Sequence, residues 1–349
     1  MKVLFIGYYG AGNLGDELLL SENIKLLKNS FPQIEITVLS SSPENTFIQH
    51  KVKAFHKFKI SDIFKALFQC KYLIFGGGSI FQDKSSFKSL FYYFCICLLA
   101  KLFLKKIIFI SQGIGPFKTW FSELLARISF SFADSISIRE GEDNIKFLKK
   151  WKLYKAPFQG VGGIDSAWSY SCSTEPTPKD KSLLISLRSD LKLTKAFLKK
   201  FILLLIKKYS NYKFNLIALQ KCDLKEFNFL ENYLKQYNIN YEIFELYDIE
   251  SLKQNEKIFL SSEKAFCMRF HALLLCIKYI IPCLGLVYDP KVEGLCKKAN
   301  LPFISLESSN LEEKIFEEVE KINIQDLKDF VKKQEELIKR NIDFVKIKI

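Results

Sequence analysis

Arginine is scarce in this sequence. Five of its 52 basic residues are Arg, at 127, 139, 188, 269 and 340, so 47 are Lys. Lysine serves wherever only positive charge is needed, and each guanidinium marks a place where a planar, bidentate donor is worth asking about. Histidine is scarcer still. His50, His56 and His271 are too few and too scattered for a metal cluster. Long apolar runs are also missing: the longest, Leu90 to Ala100, stops at Lys101, short of the roughly 18 residues of a spanning helix. The opening Met1-Lys-Val-Leu-Phe-Ile-Gly7 is too short for a signal peptide and has no small-residue cleavage site. Nine cysteines, an odd number with no CxxC pair, lie mostly in apolar stretches such as Phe94-Cys95-Ile96-Cys97. They read as buried thiols in a reducing cytoplasm, not as disulfides or zinc ligands.

What is present is an ordinary globular composition, 48% hydrophobic and 26% charged over 349 residues, with a net charge of +14. The length favours two domains. The charge suits anionic partners without choosing among them. Nucleic acid is disfavoured, because the lysines are spread over helix faces and form no compact recognition element.

Strand-length apolar runs alternate with helix-length segments, which predicts an α/β chain with parallel sheets. The first half reads as a strand near 2–8, a helix near 15–29 and strands near 34–39, 71–75, 107–111 and 135–138. Segments around 43–62 and 112–122 read as loops. The Ser-, Thr- and Pro-rich stretch 169–181 reads as a linker. Strands restart near 182–187, 213–219, 241–245, 264–267 and 281–287, and the tail 311–345 is two helical segments. The expected organisation is a first Rossmann-like domain over 1–168, the linker, a second over 182–325 and a C-terminal helix over 326–349. The two domains are expected to face each other across a cleft, with ligands outside the strand carboxyl ends.

Those ends carry polar and glycine residues. Gly10-Ala-Gly12-Asn13-Leu-Gly15-Asp16-Glu17 is formally a GxGxxG turn between strand and helix. A dinucleotide would need its pyrophosphate at that helix N-terminus, where Asp16 and Glu17 already satisfy the dipole and would repel it. Sugar-hydroxyl binding by Asn13 and Asp16 fits better, while Glu17 also suits a purely structural cap. Gly76-Gly77-Gly78-Ser79, followed by Gln82 and Asp83, lets backbone approach a ligand closely. Gln112 stands between glycines at the next strand end, and Arg139-Glu140 at the one after.

In the second half, Arg188 ends the first strand, and Arg269 and His271 join a strand to an apolar helix. Pro290 pre-sets a helix start and places Lys291 in its first turn. Three of the five Arg thus lie at strand ends, where bidentate recognition of carboxylate or phosphate is useful. Arg127 and Arg340 sit in Lys-rich helical contexts. The plainer alternative for a strand-end Arg is a structural pair with Glu140 or Asp190.

Taken together, these motifs resemble the polysaccharide pyruvyl transferase family, CsaB type. The matching segments are GYYGAGNLGDELLL (7–20), GGGSIFQD (76–83), SQGIGP (111–116), SIRE (137–140), ISLR (185–188), MRFHALLL (268–275) and YDPKVEGL (288–295). Gly162–Trp168 matches only loosely, and no role is assigned to Asp165. The resemblance implies a GT-B-like fold and transfer of the pyruvyl unit of phosphoenolpyruvate to a sugar as a ketal. It implies that Arg139, His271 and Lys291 are catalytic and that these three, with Arg269, bind phosphoenolpyruvate. Asn13, Asp16, Gly77, Gly78, Gln82 and Gln112 would line the acceptor side. His271 is the best general acid or base by its ordinary pKa, and no metal or organic cofactor is required.

Two other classes stay open: a GT-B glycosyltransferase with a nucleotide-sugar donor, and a non-catalytic sugar- or phosphate-binding protein. The apolar segment 90–104 is either a core helix or a membrane-facing patch ringed by Lys84, Lys88, Lys101, Lys105 and Lys106, suited to a lipid-pyrophosphate-linked acceptor.

Overall fold

A computed structural model describes residues 1–84, 86–139, 142–153, 160–172, 179–189, 193–306 and 313–348. The chain divides into two units. The first comprises Met1–Ala11, Asp16–Tyr170 and Gln334–Ile349, and the second Gly12–Gly15 and Ser171–Lys333.

The strands of the first unit are β1 (Lys2–Ile6), β2 (Glu35–Ser40), β3 (Lys53–His56), β4 (Tyr72–Phe75), β5 (Gly78–Phe81), β6 (Lys106–Ile114), β7 (Ser135–Arg139) and β8 (Gly160–Gly163). Their order is β3-β2-β1-β4-β6-β7-β8, with β5 also on β6, and every pairing is parallel. Strands such as Tyr-Leu-Ile-Phe in β4 are buried at every position, as a sheet covered on both faces requires. The period of two then splits each strand between two cores. Leu4, Ile6, Leu73, Phe75 and Phe109 enter one, and Val3, Phe5, Ile74 and Ile108 the other. In the first core Phe109 stacks between Phe75 and Phe130, with centroids at 4.7 and 4.4 Å.

The second unit contains β9 (Asp180–Ser186), β10 (Lys213–Ala218), β11 (Tyr241–Glu245), β12 (Ser262–Cys267), β13 (Cys283–Val287) and β14 (Phe303–Ser305). The order is β11-β10-β9-β12-β13-β14, again all parallel. Both sheets reverse direction beside their first strand, at β1/β4 and at β9/β12. Such switch points open a crevice at the carboxyl ends of an open α/β sheet.

Three sequence expectations change. The segment 43–62 is not a loop: it contains the helix Pro43–His50 and edge strand β3. β3 is four residues long and only half-buried, so it carries no strong apolar pattern. Strand β6 runs on to Ile114, past the glycine that suggested its end. The central part of the proposed linker, 173–178, lies outside the described residues. The final helix is Ile324–Lys348, and its second half counts with the first unit. There the buried Asn341 donates Nδ2–H to Ser111 Oγ (2.9 Å) and Ile164 O (2.8 Å).

Replacing Asn341 by Leu leaves that hydroxyl and carbonyl less satisfied without changing size much. A loss of about 1–3 kcal/mol is expected, read as a shift of the urea midpoint at constant slope.

Candidate functional site

At the β1/β4 switch point the chain makes its triple-glycine turn. Gly77 and Gly78 have φ of +94° and +83°, which side-chain-bearing residues adopt only with strain. Two buried amides hold the turn. Asn23 donates Nδ2–H to Gly76 O (2.8 Å), and Gln112 donates Nε2–H to Gly78 O (2.5 Å). Gln112 is wholly buried, so it supports the turn from beneath, where sequence reading had placed it on the acceptor side. Asp16 is half-buried beside Gly78: a Cβ there would lie 3.5 Å from Asp16 Oδ1. Gln82, just past β5, is half-buried as well.

Glu17 is structural. It is buried, accepts the Gly10 N–H at 2.7 Å and faces His50 Nε2 at 3.0 Å. Sequence reading missed Lys57, which follows β3. This lysine is buried at 3% exposure and stands over the Tyr8 and Phe58 rings. Burial lowers its pKa, and the nearby carboxylates of Asp16 and Glu17 oppose that shift. It was one lysine among 47, after a strand that left no pattern.

Arg139 ends β7 and is 7% exposed. Its Nη1–H donates to Asp165 Oδ2 at 3.0 Å and its Nη2–H to Ser79 Oγ at 3.2 Å. Asp165 Oδ1 meanwhile accepts the Ala167 N–H at 3.0 Å, and Ser166 Oγ donates to Asn23 Oδ1 at 3.0 Å. The loosely matching segment 162–168 is therefore what braces Arg139 and the glycine turn. Glu140, the alternative partner, lies outside the described residues.

In the second unit, three consecutive strand ends bear the charged groups. After β9, Arg188 donates to Tyr288 Oη at 2.8 Å and stacks on that ring at 4.8 Å. Its alternative partner Asp190 lies outside the described residues. Tyr288 follows β13 and is 4% exposed. Burial pushes its phenol up, but Lys291 and Arg188 outweigh burial and hold the pKa below 10.0. The helix Pro290–Lys298 starts at Pro290, as expected, and Asp289 caps it by accepting the Lys291 N–H at 3.1 Å. The structure thus brings Arg188 and Lys291 together around a tyrosine that sequence reading gave no role.

Arg269 follows β12 and is held by the wholly buried Asp223, which accepts from Nε and Nη2. Asp223 Oδ2 also accepts the backbone N–H groups of Leu219 and Gln220, at 3.1 and 3.0 Å. Arg269 is a buried brace for the turn that carries His271.

The helix Phe270–Lys278 is buried at every residue except His271. Apolar burial fixes the helix, and His271 in its first turn is the one residue only partly buried, with its Nε2 shielded from solvent. Its neighbour is Gly15, where a Cβ would come 2.0 Å from His271 Nδ1. The third glycine of the GxGxxG pattern therefore makes room for an imidazole. Among the described residues, no three His, Cys, Asp or Glu side chains group as metal ligands.

Two substitutions test this geometry. Asp165→Ala takes the Asp165 carboxylate from a buried guanidinium and is expected to cost about 3–5 kcal/mol, read in chemical denaturation. Gly15→Ala gains about 0.5–1 kcal/mol of helix propensity but drives a methyl into the imidazole. The expected result is a folded protein with a displaced His271 ring, seen in imidazole ¹H–¹⁵N spectra. An unchanged ring signature would contradict the close approach.

Comparison with solved structures finds the same fold at low identity. The UDP-GlcNAc 2-epimerase of Methanocaldococcus jannaschii is 13% identical with a TM-score of 0.62, over 93% of each chain. That of Neisseria meningitidis bound to UDP-GlcNAc is 12% identical, with a TM-score of 0.60 over 98% of this chain and 94% of that one. Anabaena HepE in complex with UDP and glucose is 10% identical, with a TM-score of 0.58 over 100% and 97%. These likenesses show a GT-B fold. Curated proteins yield no sequence match. The family model for polysaccharide pyruvyl transferase matches residues 13–290. That match runs from the Asn13 turn to the start of the Lys291 helix, and the chain belongs to the polysaccharide pyruvyl transferase family.

Proposed function

We propose that this protein transfers the pyruvyl unit of phosphoenolpyruvate to two hydroxyls of one sugar, closing a pyruvate ketal and releasing phosphate. Family membership supports pyruvyl transfer to a polysaccharide or its precursor. The observation that carries the finer reading is the set of groups on the adjacent ends of β9, β12 and β13. These are Arg188, the His271 turn, and Tyr288 with Lys291. Cations on the strand ends that flank one partly buried imidazole suit a small trianion that must also exchange a proton.

In this reading His271 donates a proton to C3 of the enol, which makes C2 electrophilic. One sugar hydroxyl attacks C2 and gives up its proton. The bond from C2 to the phosphate oxygen breaks and phosphate leaves with its electron pair. A second hydroxyl then adds to C2 and loses its proton, which closes the ring. Lys291 holds the phosphate or carboxylate and stabilises the leaving charge. Arg139 is assigned to phosphoenolpyruvate binding by the family resemblance alone, and Arg269 acts from beneath by fixing the His271 turn. Asn13, Asp16, Gly77, Gly78 and Gln82 belong to acceptor recognition, with Asp16 as the base for a hydroxyl. Gln112 acts there only through the glycine turn. The steps proposed need no metal or organic cofactor.

The rival donor is a nucleotide sugar, because the solved neighbours carry UDP or UDP-GlcNAc. The deciding experiment incubates the protein with phosphoenolpyruvate and a panel of sugar and sugar-lipid acceptors. The expected outcome is phosphate release matched by ketal formation, with His271→Ala lowering kcat about 10²–10⁴-fold. No phosphate release with any acceptor, alongside turnover of a UDP-sugar, would overturn the reading.

A further inference from the structure

Sixteen large apolar side chains stand exposed among the described residues, and twelve of them fall between residues 47 and 121. The same stretch holds twelve lysines, two aspartates and neither arginine nor glutamate. An excess of ten positive charges, out of a net +14 for the whole chain, thus coincides with most of the exposed apolar surface. Scattered exposed hydrophobics need no explanation, but a contiguous group does.

Eight of the twelve gather around one helix. On the helix Phe87–Leu102, Leu90, Tyr93, Cys97 and Ala100 take the core side. Phe87, Phe91, Leu98 and Leu102 follow at spacings of four, seven and four, a band of about 60° at 100° per residue. They are 44%, 46%, 37% and 67% exposed. A surface helix ordinarily turns polar residues outward; this one is apolar on both sides. Ring contacts widen the band. Phe87 meets Phe121 at 6.1 Å, and Phe121 meets Trp120, which is 77% exposed. Past the helix end, Phe103 meets Phe68 at 4.8 Å on the helix Ile60–Gln69. Leu104, 90% exposed, projects from the turn between them and β6.

We propose that this face of the first unit docks on an anionic lipid bilayer. The Phe87–Leu102 band, Trp120 and Leu104 enter the headgroup region, and Lys84, Lys88, Lys101, Lys105, Lys106 and Lys118 meet the anionic headgroups. Apolar insertion within a basic rim is the chemistry of an interfacial anchor, and each lysine near such a surface strengthens partitioning roughly fivefold. Charge argues against a second copy as the occupant, since that would set two strongly basic faces together. No described helix is long and apolar enough to cross a membrane, so the contact is to one leaflet. The inference does not depend on the donor chemistry proposed above.

The test sediments the full-length protein with vesicles of phosphatidylcholine alone and of equal parts phosphatidylcholine and phosphatidylglycerol. The wild type is expected to pellet with the anionic vesicles, less at high salt, and to stay in solution with the neutral ones. Two variants, Phe91→Ser with Leu98→Ser, and Lys84→Ser with Lys88→Ser, Lys101→Ser and Lys105→Ser, should each lose roughly tenfold or more in partitioning. Both should keep the wild-type unfolding midpoint, because none of these side chains serves the core. Three outcomes would overturn the proposal: no pelleting with anionic vesicles at low salt; unchanged binding by the Phe91/Leu98 variant; or a concentration-dependent dimer that this variant abolishes, without vesicle binding.

Discussion

A guanidinium leaves water only if a carboxylate meets it, because an unpaired buried charge costs several kcal/mol. Two of the five arginines are buried here under that constraint, and much of the site geometry follows from it. Asp165 holds Arg139 and caps the turn at Ala167; Asp223 holds Arg269 and pins Leu219 and Gln220. Each carboxylate binds its arginine and a backbone turn at once. The position of the charge is thereby tied to the position of the loop, so neither can shift without leaving a partner unsatisfied. His271 and the glycine turn stand on these braces.

The same logic separates two uses of positive charge. Arginine appears at strand ends where direction matters: over Tyr288, against Asp165, against Asp223. Lysine supplies charge without direction, and between residues 47 and 121 two aspartates are all that offset it. Lys291 and Lys57 are the exceptions. One starts a helix beside Tyr288 and the other is buried beside the Asp16 turn.

Much of the fold was legible because its signals are local. Continuous apolar runs marked most strands, and glycines or arginines marked where those strands end. Partner choice was not legible. Arg139 finds Asp165 across 26 residues and Arg269 finds Asp223 across 46, and nothing in the sequence favours those acids over Glu140 or Asp190. Gln112 shows a limit of local reading: a polar residue between glycines suggests a strand end, yet the strand continues through it and buries it under the turn. The helix Phe87–Leu102 shows the complementary limit. Periodicity identifies a core face by contrast with a polar one, and this helix offers no contrast. The acids of the GxGxxG turn are legible in the sequence, but the reason for its last glycine lies in an imidazole some 250 residues away in sequence.

The central claim is that the strand ends of the second unit recognise a small phosphorylated carboxylate. Calorimetric titration of the protein with phosphoenolpyruvate alone, with UDP-GlcNAc as competitor, tests it without any need for the acceptor. The account predicts saturable, salt-sensitive binding of phosphoenolpyruvate that Lys291→Ala weakens and UDP-GlcNAc leaves unchanged. Heat from UDP-GlcNAc with none from phosphoenolpyruvate would contradict it.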